Sequence, residues 1–232
     1  MKRAFIKYLL LGLILLPAAA FGQGTVYTKT MRLADFPQKT TKIVLTGIPT
    51  VDALLKEEIT SRWRISPYEF CDEAEYKATV HQNLYYFLHF ASDADFTYML
   101  LTKGGPNSGN PLITFMDVVS IPVFSAGEPK HEELVFLPAF IDLVQEYLQK
   151  AMVSETHSYG SIKSIKHRIP KGTKVCKDAE EGRRLFIEGA KDTIVPILIW
   201  PAETGRRKYY YKLQVSTDNH LLYEFRRKRI HR

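Results

Sequence analysis

Two cysteines, seven histidines and one close pair of aspartates are the residues of this chain with the chemistry to hold a metal, attack a substrate or move a proton. Cys71 and Cys176 form no CxxC. The histidines form neither HExxH nor an HxxxH pair, and His157 and His167 lie in a polar stretch without a third ligand nearby, so no zinc donor set is written in the sequence. Asp93 and Asp95, in SDADF, suit a charged turn before a strand better than a catalytic carboxylate pair. His89 sits inside the apolar run NLYYFLHFA and is expected to be a hydrogen-bonded core side chain. No GxSxG elbow, SxxK pair, GxGxxG turn or Walker loop occurs. The one glycine-rich loop, GGPNSGN at Gly104–Asn110, leads into a strand rather than a helix N-terminus, which argues against a phosphate cradle. No cofactor is implied. Catalysis by residues distant in sequence stays open, because triads and carboxylate pairs assemble only in three dimensions.

The elements that would position such residues read as an α/β fold, with one sheet in two or three layers. Residues 42–71 form a complete strand, helix, strand unit. Lys42–Gly47 is β-branched and apolar, Gly47 and Pro49 punctuate it, and Thr50 is placed to cap the helix with Asp52 in its first turn. Val51, Leu54, Leu55 and Ile59 then fall on one helical face. Arg64–Cys71 returns as a second, parallel strand. Asp72 and Glu75 can cap a short helix reaching Gln82, and Asn83–Ala91 is apolar on both faces, as in a strand covered on both sides. Residues 95–121 read as a long-tipped hairpin in a mixed sheet, ended by Pro122, with Gly104, Gly105, Asn107 and Asn110 at an exposed tip suited to touching a partner.

Residues 138–152 form a packing helix, with Phe140, Leu143, Val144, Tyr147, Leu148 and Ala151 on its apolar stripe and Asp142, Gln145, Glu146 and Gln149 opposite. Residues 154–174 turn polar and basic, a linker or surface excursion between an α/β domain at 23–153 and a β-rich part at 175–232 packed on it or beside it. In that last part Asp178–Ala190 is a weak helix, Thr193–Trp200 a strand, and Tyr209–Val215 with Leu221–Arg226 a terminal hairpin. The order strand, weak helix, strand there faintly echoes residues 41–71.

Lys2, Arg3 and Lys7 precede an uncharged, mostly apolar run to Phe21, with small residues following Pro17. This is the pattern of a secretory signal peptide at 1–22, cleaved near Ala20 or Gly22. The run is too short to cross a bilayer, and the mature chain is expected to be exported, periplasmic or secreted, without a transmembrane span. The formal charge is +7. Lys2, Arg3 and Lys7 leave with the signal, and Arg226, Arg227, Lys228, Arg229 and Arg232 crowd the C-terminus, so the body between is nearly neutral. The terminal run reads as a basic tail able to meet an anionic membrane surface or a partner; nucleic acid is not expected, for want of a recognition motif. Export would allow Cys71 and Cys176 to pair, and two separate buried thiols is the other reading.

The strand, amphipathic helix and aromatic-rich strand from Lys42 to Ala91 resemble the small periplasmic α/β domains at the N-terminus of the Tol-Pal translocation protein and in the curli-secretion lipoprotein group. Trp63, Pro67, Tyr68, Glu69 and Phe70, within ITSRWRISPYEFC, are also similar to a segment of secreted, uncharacterised Bacteroidetes proteins. The first resemblance implies an envelope-associated accessory role, and the second implies no activity. The lipid-bearing cysteine of the curli group is missing, so its anchoring and pore-forming role does not carry over. Two functions follow: a noncatalytic module that binds another envelope protein through the hairpin tip or the basic tail, or a hydrolase-like enzyme with a dispersed site at the C-terminal ends of the parallel strands.

Overall fold

The computed structural model describes residues 32–106, 117–154, 156 and 167–230. The expected signal peptide with Ala20 and Gly22, the tip residues Asn107 and Asn110, His157 and most of the 154–174 stretch lie outside them. The fold is α/β, built on two mixed sheets. In the first, β1 (Thr40–Val44), α1 (Pro49–Arg62) and β2 (Tyr68–Cys71) form the parallel unit, with Ile43 opposite Phe70 and Val44 opposite Cys71. Thr50 does not cap α1. Pro49 occupies the first turn, and Asp52 instead accepts the Thr46 and Gly47 amides at 2.7 and 3.0 Å, closing the loop in which Gly47 takes a φ of 80°.

Asp72 caps α2 (Glu73–Thr79) as expected, its carboxylate accepting the Glu75 amide at 2.8 Å. The chain then enters β3 (Tyr85–Ser92), parallel to β1 on the side away from β2. The antiparallel strands β4 (Phe96–Lys103) and β5 (Asp117–Ser125) complete the order β2-β1-β3-β4-β5. β5 runs through Pro122 rather than stopping there. It is an edge strand, where a missing N–H costs no ladder bond, and the register shifts between Thr97 and Tyr98 beside the proline.

After α3 (His131–Leu134), α4 (Leu137–Val153) lies deeper than its two-faced pattern suggests. Leu137, Phe140, Ile141, Val144, Leu148 and Ala151 are buried, and so is Gln145. Gln145 Oε1 accepts the Arg64 amide at 2.8 Å, and Asp142 Oδ2 receives Arg62 at 2.9 Å, so the polar residues lock α4 to α1 instead of facing water.

The second sheet contains β6 (Lys174–Val175), α5 (Ala179–Ile187), β7 (Thr193–Ile199), β8 (Tyr209–Ser216) and β9 (Leu222–Arg229), in the order β6-β7-β8-β9. β6 and β7 are parallel and the rest antiparallel. The order strand, helix, parallel strand recurs as β6, α5 and β7, but the sheets differ: β1 has a parallel neighbour on each side, whereas the second sheet has one parallel pair, at its edge. α5 forms without a broad apolar stripe because it sits very close to β7. A Cβ on Gly182 would stand 2.9 Å from Pro196 Cδ, while Leu185 and Phe186 supply the apolar contact.

One apolar cluster runs from α1 and α4 through both sheets, joining Ile59, Phe140 and Leu101 to Ile197, Leu213 and Phe225. Cys176 belongs to it, whereas Cys71 packs with Val44, Val80 and Phe87 in a small separate cluster. Both thiols are free and buried, so the optional disulfide is not formed. No helix of the described residues is long and apolar enough to cross a membrane.

Candidate functional site

The basic run expected as a tail is half of a strand. Arg226, Arg227, Lys228 and Arg229 end β9, the edge of the second sheet, and each is held opposite a residue of β8: Arg226 with Lys212, Arg227 with Tyr211, Lys228 with Tyr210 and Arg229 with Tyr209. Side chains alternate across a strand, so the run divides between two faces. Tyr211 belongs to the core, and Arg227 lies over the Tyr209 ring at 5.3 Å on that side. Arg226 and Lys228 share the opposite, outer face with Tyr210 and Lys212. Charges adjacent in sequence are thus separated, and a lysine from the middle of β8 joins two of them.

Trp200, immediately after β7, completes this outer face. Its indole stacks on Tyr210 with centroids 4.3 Å and planes 24° apart, and the residue is 46 % exposed. The result is an aromatic platform covered on one side by the protein, with Lys228 across the ladder and Lys212 and Arg226 in the next row. Arg226 bonds Glu224, which is the one carboxylate among the described residues bridged to this group. Burial, together with the neighbouring Lys228 and Arg226 charges, pushes the Lys212 ammonium below its usual range. Three cations are held close to one another, with one carboxylate at the Arg226 end of the group, an arrangement that an incoming anion would relieve.

No family model, curated protein or solved structure matches the chain. The site must therefore be weighed by its own chemistry against the other places in the molecule where polar groups converge.

One of these, which Trp200 also lines, is a cleft of about 630 Å³ between the end of β5, α3, the first turns of α5 and the segment from Pro196 to Thr204. Of the parallel strands, only β7 brings its C-terminal end to it. Some of its polar groups are engaged with each other: Glu133 accepts the Ser125 and Lys130 amides at 2.9 Å each, and Glu132 lies 3.6 Å from Arg183, whose buried Nε has no hydrogen-bond partner among the described residues. Among its described lining residues, the Ser125 hydroxyl donates to the Trp200 carbonyl at 2.8 Å rather than to a base.

A histidine–carboxylate pair does exist, unforeseen in the sequence. His220 Nδ1 lies 2.7 Å from Asp142 Oδ2, and its ring stacks on Phe186 at 5.1 Å. Among the described residues no hydroxyl or thiol bonds its second nitrogen, and His220 does not line the cleft, so the pair fastens the β8–β9 turn to α4.

Asp93 and Asp95 likewise serve the fold. Asp93 Oδ1 accepts the amides of Asp95 and Phe96 at 2.8 and 2.7 Å, and Asp95 Oδ1 accepts the Arg207 amide at 2.8 Å, anchoring the β7–β8 loop against the β3–β4 turn. His89 is half-buried rather than a core side chain, 3.3 Å from the Thr102 hydroxyl and packed on Tyr76, and burial pushes its pKa down to about 4.

Gly104 and Gly105, expected at an exposed tip, are buried. Their amides donate to Tyr85 and Val80 carbonyls at 2.9 and 3.0 Å, and a Cβ on Gly104 would lie 2.3 Å from the Gln82 carbonyl oxygen. Close packing requires glycine at 104, and both residues are buried rather than at an exposed tip. Among the described residues no group of histidines, cysteines and carboxylates is arranged to hold a metal ion. The outer face at Trp200, Tyr210, Lys212, Arg226 and Lys228 is accordingly the candidate site. Sequence reasoning found Arg226 and Lys228 but missed Trp200, Tyr210 and Lys212. The signal that would have joined them is the parity of YYYKLQ against EFRRKR once the two are paired as a hairpin.

Proposed function

We propose that this chain is an exported, noncatalytic binding module of the cell envelope that holds an anionic partner on the outer face of its second sheet. The observation that carries this reading is the set of cations Lys212, Arg226 and Lys228 on one face of the β8–β9 pair, beside an exposed tryptophan, with a single bridged carboxylate among them. Like charges directly opposite on a sheet are unfavourable for the fold, and holding them there is consistent with recognising negative charge. The signal-like N-terminus supports export, and the likeness of residues 42–91 to periplasmic α/β domains supports an accessory role. The enzyme reading has less behind it, since among the described residues no hydroxyl or thiol bonds the His220–Asp142 pair, which does not line the cleft.

The test is cosedimentation of the purified mature protein with envelope fractions of the source cells. The wild type should sediment with them and be released by added salt, as screened charge contacts are. The triple variant Lys212→Gln, Arg226→Gln, Lys228→Gln should associate at least tenfold more weakly. Unchanged association of a folded triple variant would sink the proposal.

A further inference from the structure

The aromatic half of the site narrows the class of anion. We infer that the outer face binds an acidic saccharide, a sugar polymer carrying carboxylate or phosphate groups, with one ring lying flat on the Trp200–Tyr210 stack; this rests on the proposed function above. A pyranose presents a flat face of C–H groups, which packs against the electron-rich face of an aromatic ring. Trp200 offers such a face. Its other side is occupied by Tyr210 at 4.3 Å, so the indole is held parallel to its support before any ligand arrives. Ligand binding then orders little that is not already ordered.

Cations stand where acidic substituents of that sugar would fall. Lys228 is the direct cross-strand partner of Tyr210, and Lys212 with Arg226 forms the next row on the same face, about 7 Å along the strand. A chain running along β8 and β9 would place one ring on the platform and the negative groups of that ring and the next against these three residues. The crowding that lowers the Lys212 pKa is what a bound anion relieves.

A lipid bilayer fits the geometry less well. To enter an interface an aromatic ring has to protrude, whereas this indole lies flat against its neighbour. Among the described residues the other large exposed apolar side chains, Leu84, Val153 and Ile187, lie outside β7, β8 and β9 and give the face no apolar patch.

Tryptophan fluorescence provides the test on the full mature chain, because Trp63, the second of the two tryptophans, is buried at 2 % exposure and Trp200 carries the solvent-sensitive signal. The probes are oligogalacturonate, its fully methyl-esterified counterpart, inorganic phosphate, phosphatidylglycerol vesicles and a single-stranded thymidine oligonucleotide. Oligogalacturonate should change the emission saturably. The esterified form should bind at least tenfold more weakly and inorganic phosphate more weakly still. By a fluorescence-independent method such as calorimetry, Trp200→Ala should lose at least tenfold in affinity and Trp200→Phe should recover part of it, with unaltered circular dichroism showing that the fold persists.

Vesicles or the oligonucleotide binding better than the oligosaccharide would overturn the inference, as would no oligosaccharide binding or binding indifferent to Trp200→Ala. In those cases envelope association that still depends on Lys212, Arg226 and Lys228 leaves the anionic-partner function standing. Association indifferent to the three cations removes both.

Discussion

Lys212 stands directly across the β8–β9 ladder from Arg226, like charge facing like charge on one face of an antiparallel pair. Such a pair costs the fold a few tenths of a kcal/mol up to about 1 kcal/mol, and Lys228 on the same face adds to it. Lys212→Gln is therefore expected to stabilise the protein by about 0.2–1 kcal/mol while weakening its hold on anions. Urea unfolding at low ionic strength measures the first effect and envelope cosedimentation the second. Added salt should stabilise the wild type more than the variant, because it screens a repulsion the variant lacks. A Lys212→Gln protein less stable than wild type at low salt would show that the lysine is there for the fold.

Asp142 joins three elements that are far apart in sequence. Its Oδ2 receives Arg62 of α1 at 2.9 Å and lies 2.7 Å from His220 at the β8–β9 turn. Asp142→Ala should cost about 1–3 kcal/mol, since it leaves two partly buried groups short of an acceptor. Asp142→Asn should cost less, as a carbonyl oxygen stays in place. Chemical unfolding of the two variants gives the comparison. Equal loss in both would mean that the carboxylate charge, rather than the geometry, does the fastening.

The difference between what could and could not be read from the sequence is a difference of range. Local signals served well: the period of Val51, Leu55 and Ile59 marks α1, and Asp72 three residues before Glu75 marks the cap of α2. Where a distant contact decides, local pattern misleads. Asp142 and Gln145 have the spacing of a wet face, yet each is taken up by a residue about eighty positions away. Gly182 looked like a break in a weak helix, and it is what lets α5 touch β7. Gly104 looked like a loop tip for the same reason, that a glycine required by crowding and a glycine required by a turn are written alike. The candidate site was half legible. Arg226 and Lys228 stand out by charge, but their company of Trp200, Tyr210 and Lys212 exists only once strands β7, β8 and β9 are in register.

The packing claim at Gly104 can be tested directly. With a Cβ placed 2.3 Å from the Gln82 oxygen and 2.9 Å from the Tyr85 oxygen, both backbone atoms, the loop must shift to accept any side chain. Gly104→Ala is expected to lose about 1–3 kcal/mol, the range for overpacking a tight interior. Gly127→Ala makes a useful contrast: a Cβ there meets nothing within 4 Å, and only its φ of 110° opposes the substitution. Thermal melts of both separate crowding from backbone strain.

His89 makes stability depend on pH in a window of its own. Burial holds its folded pKa down to about 4, against 6.5 for the free side chain, so the fold favours the neutral ring. The contribution is complete above pH 6.5 and is lost as pH falls from 6.5 through 4, because the unfolded chain takes up the proton first. The full swing is about 3 kcal/mol at most. His89→Gln should flatten the urea-midpoint profile between pH 6.5 and 4.5. An undiminished slope in the variant would place the acid sensitivity elsewhere.

The two thiols give the last prediction. Cys71 lies beneath α2 with Val44, Val80 and Phe87, and Cys176 sits in the main core at the start of α5, its Sγ 3.2 Å from the Asp178 carbonyl oxygen. Burial, reinforced by the Glu75 carboxylate, pushes the Cys71 thiol up to about 11, so at neutral pH it is not the thiolate that attacks reagents or disulfides. Each is packed as a small apolar side chain in its own cluster, and the two are free. The mature protein should therefore show no rapidly reacting thiol in its native state, two per chain in denaturant without reductant, and the same melting temperature with and without reductant. A melting temperature that falls on reduction would reveal a bridge and overturn the separation of the two clusters.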